Sequence, residues 1–293
     1  MDGARAAPGV TLTCRWSERI ERALTWANQR YQRCDICAAR CDVDRHHGGI
    51  GRCGLGADAH VYKEYLHLGE EQRLIPSHTI FMTGCNMGCR FCTDLAQVKH
   101  PLEHGVVVAP QDLAERIAQR RDEGAKNVQF VGGVPDVNLL YILRVLSYCP
   151  PDTSVVWNTN LWTTAEAIAH LKGIVTTWLT DLKFGNDVCG KALGRVEGYT
   201  GTVHSQFKQL RGADDVIVRH LLMPGHLECC TKPALNFLRR EHPGVGLNLM
   251  TGYLPMDLAG SRGPMGGALN RDEVDAALAI AKHLGFRDLM LDG

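Results

Sequence analysis

Between residues 76 and 255, short apolar runs rich in β-branched side chains alternate with stretches whose apolar residues recur every three or four positions. The runs predict strands at 79–84, 127–131, 154–158, 176–181, 216–222 and 246–250, and the stretches predict helices at 111–123, 137–147, 164–171, 203–210 and 232–240. Strands that alternate with helices demand a parallel sheet with right-handed crossovers. The expected fold class is therefore α/β, a partial (β/α)6 barrel of TIM-like form whose ligand site lies at the C-terminal strand ends. Ahead of it, Ile20, Ala23, Leu24, Ala27 and Tyr31 mark an amphipathic helix over 17–31, with Ser17 placed as its cap. Residues 61–73 read as a polar turn leading to the first strand. After the barrel, Gly260, Gly263, Pro264, Gly266 and Gly267 predict a mobile loop, and Asn270 with Glu273 three residues on predicts a capped helix. The expected division is a helix and Cys-rich region (1–75), the barrel (76–255) and a C-terminal loop and helix (256–293).

Acidic and basic residues balance at 32 each, so no global field recruits nucleic acid or anionic lipid. No run of 18 apolar residues occurs and the first dozen residues lack a signal-type apolar core, which predicts a cytoplasmic protein with no membrane partner. At 45% apolar and 22% charged, 293 residues fill one large α/β domain and a small appendage. The cysteines change the picture most. Seven of the 12 sit in tight metal-type clusters, which suits a reducing compartment better than a disulfide framework.

The first cluster is Cys85, Cys89 and Cys92, spaced three and two residues apart on the loop leaving the 79–84 strand. Three thiolates suit a 4Fe-4S cubane with one iron left open, since a cluster used only for electron transfer normally takes four. The alternative, a zinc knuckle, needs a fourth ligand, of which His100 is the nearest downstream. The second cluster is Cys34, Cys37, Cys41 and Cys53, in a Gly-rich segment that cannot build a core and needs a metal to hold it. Four thiolates close the coordination sphere, as in structural zinc or a second iron-sulfur cluster; His46 or His47 could replace one. Cys14 reads as a lone thiol and Cys149 and Cys189 as small buried hydrophobes; Cys229 and Cys230, following His226 and Glu228, read either as a catalytic or metal-binding pair or as residues of a loop or helix start. Polar residues recur just beyond the predicted strands: Gly132-Gly133, Asn158 and Asn160, Asp181 and Lys183, and Arg219-His220.

The spacing of Cys85, Cys89 and Cys92, with Phe91 before the last, is that of the radical S-adenosylmethionine (SAM) enzymes. Together with the Cys34 set, 67–71, Asp181-Leu182-Lys183, Val218-Arg219-His220-Leu221, Pro224-Gly225 and Leu247-Asn248-Leu249-Met250, it resembles the pyruvate formate-lyase-activating-enzyme-related proteins of the PflX type. The resemblance spans about three quarters of the chain, from Cys34 to Pro255. It implies a 4Fe-4S cluster on Cys85, Cys89 and Cys92, and SAM held by Gly132, Gly133, Asn158, Asn160, Asp181, Lys183 and Arg219. Arg219 and His220 would face the substrate. It further implies reductive cleavage of SAM to a 5′-deoxyadenosyl radical that abstracts hydrogen from a small metabolite, with a low-potential donor such as flavodoxin or ferredoxin. Activation of a glycyl-radical partner protein, aminocarboxypropyl transfer and simple metal-cluster binding are the rival readings. Val134 stands where glycyl-radical activases usually carry an acid after Gly-Gly, and Thr93-Asp94 replace their aromatic-rich segment.

Overall fold

Eight strands form one open sheet in the order in which they occur along the chain. The computed structural model describes residues 8–69, 71–212 and 215–292, with side chains from residue 15 onward. β1 (Val61–His67) runs antiparallel to β2 (Ser77–Met82). β3 (Asn127–Val131), β4 (Val155–Thr159), β5 (Thr177–Asp181), β6 (Val216–Leu221), β7 (Gly246–Met250) and β8 (Leu289–Asp292) follow in parallel. The helices are α1 (Pro8–Gln32), α2 (Leu95–Lys99), α3 (Pro110–Asp122), α4 (Leu139–Leu146), α5 (Ala165–Leu171), α6 (Asp187–Gly194), α7 (Tyr199–Gln209), α8 (Lys232–Glu241) and α9 (Arg271–His283).

The six expected strands are present and the sheet does not close. Two further strands flank them. β1, expected as a turn, is an edge strand whose residues are mostly half-exposed, so its apolar content is diluted by Lys63 and Glu64. β8 is four residues long and partly exposed, too short to show a period. α6 was not expected either; Gly190 and Gly194 remove its pattern. Ser17 lies inside α1 and does not cap it. Asn270 and Glu273 do form a reciprocal capping box at the start of α9. The Gly-rich segment before it makes a 3-10 turn, Pro264–Gly266, with Met265 buried and its carbonyl accepting from the Tyr253 hydroxyl at 2.7 Å. Among the described residues, no helix is long and apolar enough to cross a membrane.

Side chains alternate across a strand, and here the alternation separates two environments. Ile80, Phe130, Trp157, Trp178, Val218 and Leu247 face outward into the large core formed with the helices. Val156, Leu179 and Ile217 face inward, where Leu74 joins them in a small apolar plug. One period above that plug, toward the C-terminal strand ends, the inward positions turn polar: Asn158, Asp181 and Arg219. α1 packs on α4 and α5 through Ile20, Ala23, Ala27 and Tyr31, all buried, and Tyr31 donates to the Val137 carbonyl at 3.0 Å. Cys14 lies outside the described side chains.

The same alternation corrects the expectation for His220. With Arg219 inward, His220 must face outward, and it is fully buried in the helix-side core. Its Nδ1–H donates to the Leu182 carbonyl at 2.6 Å and its Nε2 accepts from the Thr231 hydroxyl at 3.0 Å, leaving no ring nitrogen for a substrate. Burial disfavours the imidazolium and lowers the pKa to about 4. An unfolded chain would take up a proton near pH 6.5 that the folded chain refuses, so stability should fall as pH drops from about 6.5 toward about 4, by roughly 2–3 kcal/mol from this group. Comparing the chemical-denaturation stability of wild type and His220→Asn at pH 7 and 4.5 tests this. The variant should lose less than wild type, and equal losses would show that His220 does not titrate as argued.

Candidate active site

The loop that leaves β2 turns sharply at Gly84, where φ is +80° and a Cβ would collide with the Leu55 side chain at 2.4 Å. It then presents Cys85, Cys89 and Cys92 to a cavity of about 280 Å³ at the C-terminal strand ends. Three contacts hold this loop from outside the cavity. Asn86, fully buried, donates to the Trp162 carbonyl at 2.8 Å and accepts from Asn160 Nδ2 at 2.9 Å. The backbone N–H groups of Gly88 and Arg90 donate to the Gly194 and Leu193 carbonyls at the C-terminal end of α6, each at 2.9 Å. Phe91 packs against Phe184 and Tyr253 with ring centroids 6.0 and 6.2 Å apart.

Every candidate SAM contact lines this cavity, and so does Arg219. Their situations differ. Asn158 is buried, and its Nδ2 has no protein partner. Asn160 is different: its amide is committed to Asn86, and its Oδ1 accepts from the Trp162 N–H at 2.9 Å. It positions the cysteine loop, which corrects the expectation that it would be a direct ligand. Gly132 and Gly133 have φ of +75° and +53°. A Cβ on Gly133 would lie 1.8 Å from the Gly84 carbonyl oxygen, so the group that approaches this glycine is the cysteine loop's own backbone. Val134 donates its N–H to that same carbonyl and is buried beside Cys53 and Leu55.

Asp181 and Lys183 form an ion pair at 2.8 Å, each side chain 22% exposed. Burial lowers the Lys183 pKa, but the Asp181 carboxylate and then Cys89 outweigh it and raise it, so the ammonium stays charged. Arg219 grips Glu71 with two bonds of 2.7 Å, and Asn248 adds a third at 2.9 Å. Burial opposes ionisation of Glu71, yet the Arg219 fork wins and holds the carboxyl below its ordinary value. The Glu71 partnership is invisible in sequence, because the two residues lie 148 positions apart. Burial pushes the thiols of Cys85, Cys89 and Cys92 up, Cys89 to about 11 against the pull of Lys183. Such thiols ionise only when a cation enters among them.

The four N-terminal cysteines pack against the same loop from the far side. Cys53 and Leu55 share a small apolar cluster with Val134, Val137 and Cys85, and Arg52 donates to the Asn86 carbonyl at 2.9 Å. A Cβ on Gly51 would lie 3.4 Å from Cys53 Sγ and 3.7 Å from Cys41 Sγ, so both sulfurs converge on a position with no side chain. Arg45 is buried to 2% exposure with no carboxylate partner among the described residues. It donates to the Gly56 and Val137 carbonyls at 2.7 and 3.0 Å and lies over the Tyr31 ring, and Tyr31, Cys53 and Cys34 are the groups beside it that could carry negative charge. His46 and His47 are engaged elsewhere, with the Asn28 carbonyl at 3.0 Å and the Asp44 carboxylate at 2.8 Å. Among the described residues, the one trio of candidate metal ligands whose donor atoms all lie within 4.8 Å is Cys189, Cys229 and Cys230. Neither of the other two cysteine sets is drawn in so tightly.

Comparison with known proteins agrees with this geometry. The chain is 38% identical over 271 residues to the uncharacterised protein MJ0674 of Methanocaldococcus jannaschii, covering 91% of this chain and 79% of that one. Its fold matches SuiB of Streptococcus suis, solved bound to precursor peptide SuiA, with a TM-score of 0.50 at 16% identity over 71% of this chain and 46% of that one. SuiB solved without that peptide gives the same TM-score at 13% identity, over 73% and 48%. This chain thus spans a little under half the length of SuiB, and the likeness concerns the fold alone. Residues 79–238, more than half of the chain, match the Radical SAM superfamily. With that match covering the cysteine loop and the strand ends around it, the chain belongs to the Radical SAM superfamily of enzymes.

Proposed function

We propose that this enzyme binds SAM between the cysteine loop and the ends of β3–β6 and acts on a small metabolite admitted to the same cavity. Membership of the family implies a 4Fe-4S cluster and SAM, and Cys85, Cys89 and Cys92 are the residues that would hold the cluster. When bound, the cluster supplies the electron for reductive cleavage of SAM, giving a 5′-deoxyadenosyl radical able to abstract hydrogen. One observation carries the reading. Three cysteines, a half-buried carboxylate–ammonium pair and Asn158, whose Nδ2 has no protein partner, contributed by the ends of three different strands, converge on a single cavity.

The chain's own residues account for the rest. Lys183 and Asp181 offer opposite charges to the two ends of a zwitterionic amino acid, and each can exchange its partner for a ligand group of the same sign without leaving a bare buried charge. Arg219, held by Glu71, presents a fixed face beside this pair, since it is in register with Asp181 on the neighbouring strand. The cysteines at 34, 37, 41 and 53 would hold a second iron-sulfur cluster, with Arg45 as its counter-cation, placed to pass electrons from an external low-potential donor. The domain division at 75 and 255 and a cytoplasmic site of action belong to the same proposal.

Anaerobic protein reconstituted with iron and sulfide, incubated with SAM, a low-potential reductant and a deuterated metabolite pool, should release deuterium-labelled 5′-deoxyadenosine. Methylthioadenosine in its place would mean aminocarboxypropyl chemistry, and label drawn only from an added protein would mean an activase. Cys85→Ala, Cys89→Ala and Cys92→Ala should each abolish nucleoside release; near-parental release from any one removes it from the cluster. Iron analysis should give about eight atoms per chain and about four in Cys37→Ala, and one zinc in place of four irons would make the N-terminal site structural.

Asp181→Asn and Lys183→Met should keep iron and visible absorbance while the SAM dissociation constant rises roughly 10- to 150-fold. That is the equivalent of losing one charge-assisted hydrogen bond, about 1.5–3 kcal/mol. Unchanged affinity in both variants would place SAM elsewhere.

A further inference from the structure

We propose that Cys189, Cys229 and Cys230 form a metal site separate from both cluster sites, a trithiolate site for a zinc-like ion. The sequence offers Cys229-Cys230 as a metal-binding pair but not their partner: 39 residues lie between Cys189 and Cys229, and Cys189 reads there as a small buried hydrophobe. The fold brings them together. Cys189 sits in the first turn of α6, after β5, and Cys229 and Cys230 sit in the π-helical turn Leu227–Thr231 that opens α8, after β6.

Distance separates this trio from a chance meeting of thiols. Cys189 Sγ and Cys229 Sγ are 3.9 Å apart, Cys229 Sγ and Cys230 Sγ 4.0 Å, and all three fall within 4.8 Å. With a zinc–sulfur bond of about 2.3 Å, two thiolates on one tetrahedral ion stand about 3.8 Å apart, and on a trigonal ion about 4.0 Å. The spacing is therefore that of one ion's coordination sphere, too tight for an iron-sulfur cube. Main-chain packing sets it. A Cβ on Gly185 would lie 2.5 Å from the Cys230 carbonyl oxygen and 2.8 Å from that of Cys229, so the loop after β5 lies flat on the turn that carries both thiols. Asn186 completes the surroundings. Its Nδ2 lies 3.3 Å from Cys189 Sγ and 4.0 Å from Cys230 Sγ and donates to the Cys229 carbonyl at 2.7 Å, an orientation that stabilises thiolate charge and holds the turn. Cys230 is buried and Cys229 exposed, so an ion can enter from solvent and keep a fourth position there for water or a small ligand.

The position gives the site a role. The C-terminal end of α6 holds the cysteine loop through Gly194 and Leu193, and its N-terminal end carries Cys189. An ion there would fasten α6 to the start of α8, and so brace the wall behind Asp181 and Lys183.

The test uses the anaerobic protein with its iron-sulfur sites already filled, titrated with Cd(II), whose thiolate charge-transfer absorption reports the ligands, and with Zn(II) in competition. Wild type should bind one equivalent of Cd(II) that Zn(II) displaces. Cys229→Ser should lose that equivalent while keeping its iron; because Cys229 is exposed, this variant leaves the packing intact. Asn186→Ala should weaken binding about 10- to 100-fold. Equal Cd(II) stoichiometry in wild type and Cys229→Ser would overturn the proposal, as would a Cys189–Cys229 disulfide in the anaerobic protein. Neither result bears on SAM cleavage, so this proposal fails separately from the one above.

Discussion

The constraint on which the rest depends is the two-residue period of a parallel strand whose faces meet different surroundings. Outward positions must match the helices, and they do so with Trp157, Trp178, Val218 and Leu247. Inward positions have only one another to pack against, and there is room for few: Leu74, Val156, Leu179 and Ile217 fill one end. Past that plug the interior opens into the cavity, whose walls mix apolar Val131, Leu221 and Met250 with polar positions that have no core to displace. Asn158, Asp181 and Arg219 occupy them, and the same register sends His220 into the helix-side core. Site and core are thus alternate residues of the same strands.

A cluster loop needs rigidity that its own residues cannot provide. Residues 85–92 contain one glycine, three cysteines and little that could pack internally. Their positions come from elsewhere: Asn86 on Asn160 and Trp162, the Gly88 and Arg90 amides on the end of α6, and the Gly84 carbonyl lodged where Gly133 has no side chain. These supports come from the loops after β3, β4 and β5, so the cysteine loop is held by its neighbours at the C-terminal end of the sheet. Glycine at 133 follows from this close approach of one loop to another.

Buried cations mark the places where negative charge is to sit. Lys183 is flanked by Asp181 and Cys89, and Arg45 by Tyr31, Cys53 and Cys34, with no carboxylate partner among the described residues. A guanidinium taken from water and given two carbonyls and an aromatic face is still short of a counter-charge, and thiolates on a metal would supply it. The Cys53 thiol alone does not, because burial pushes its pKa up. The two cysteine sets nearest these cations therefore make electrostatic sense as loaded sites.

From the sequence by itself came the alternation of six strands and helices, the cysteine loop after the first parallel strand, the capping box at Asn270 and the list of polar residues beyond each strand. All are local: they depend on periods of two and 3.6 and on ligand spacings of a few residues, which a chain carries before it folds. What the tertiary structure decided is which of those polar residues are available. It spent Asn160 on the cysteine loop, sent His220 away from the cavity, gave Arg219 a partner 148 residues distant and brought Cys189 to Cys229. β1 and β8 also needed the fold, since an edge strand half-exposed or only four residues long leaves too weak a pattern to read. Each of these outcomes rests on contacts between distant segments, and hydrophobic periodicity records which face a residue takes but not what it meets there.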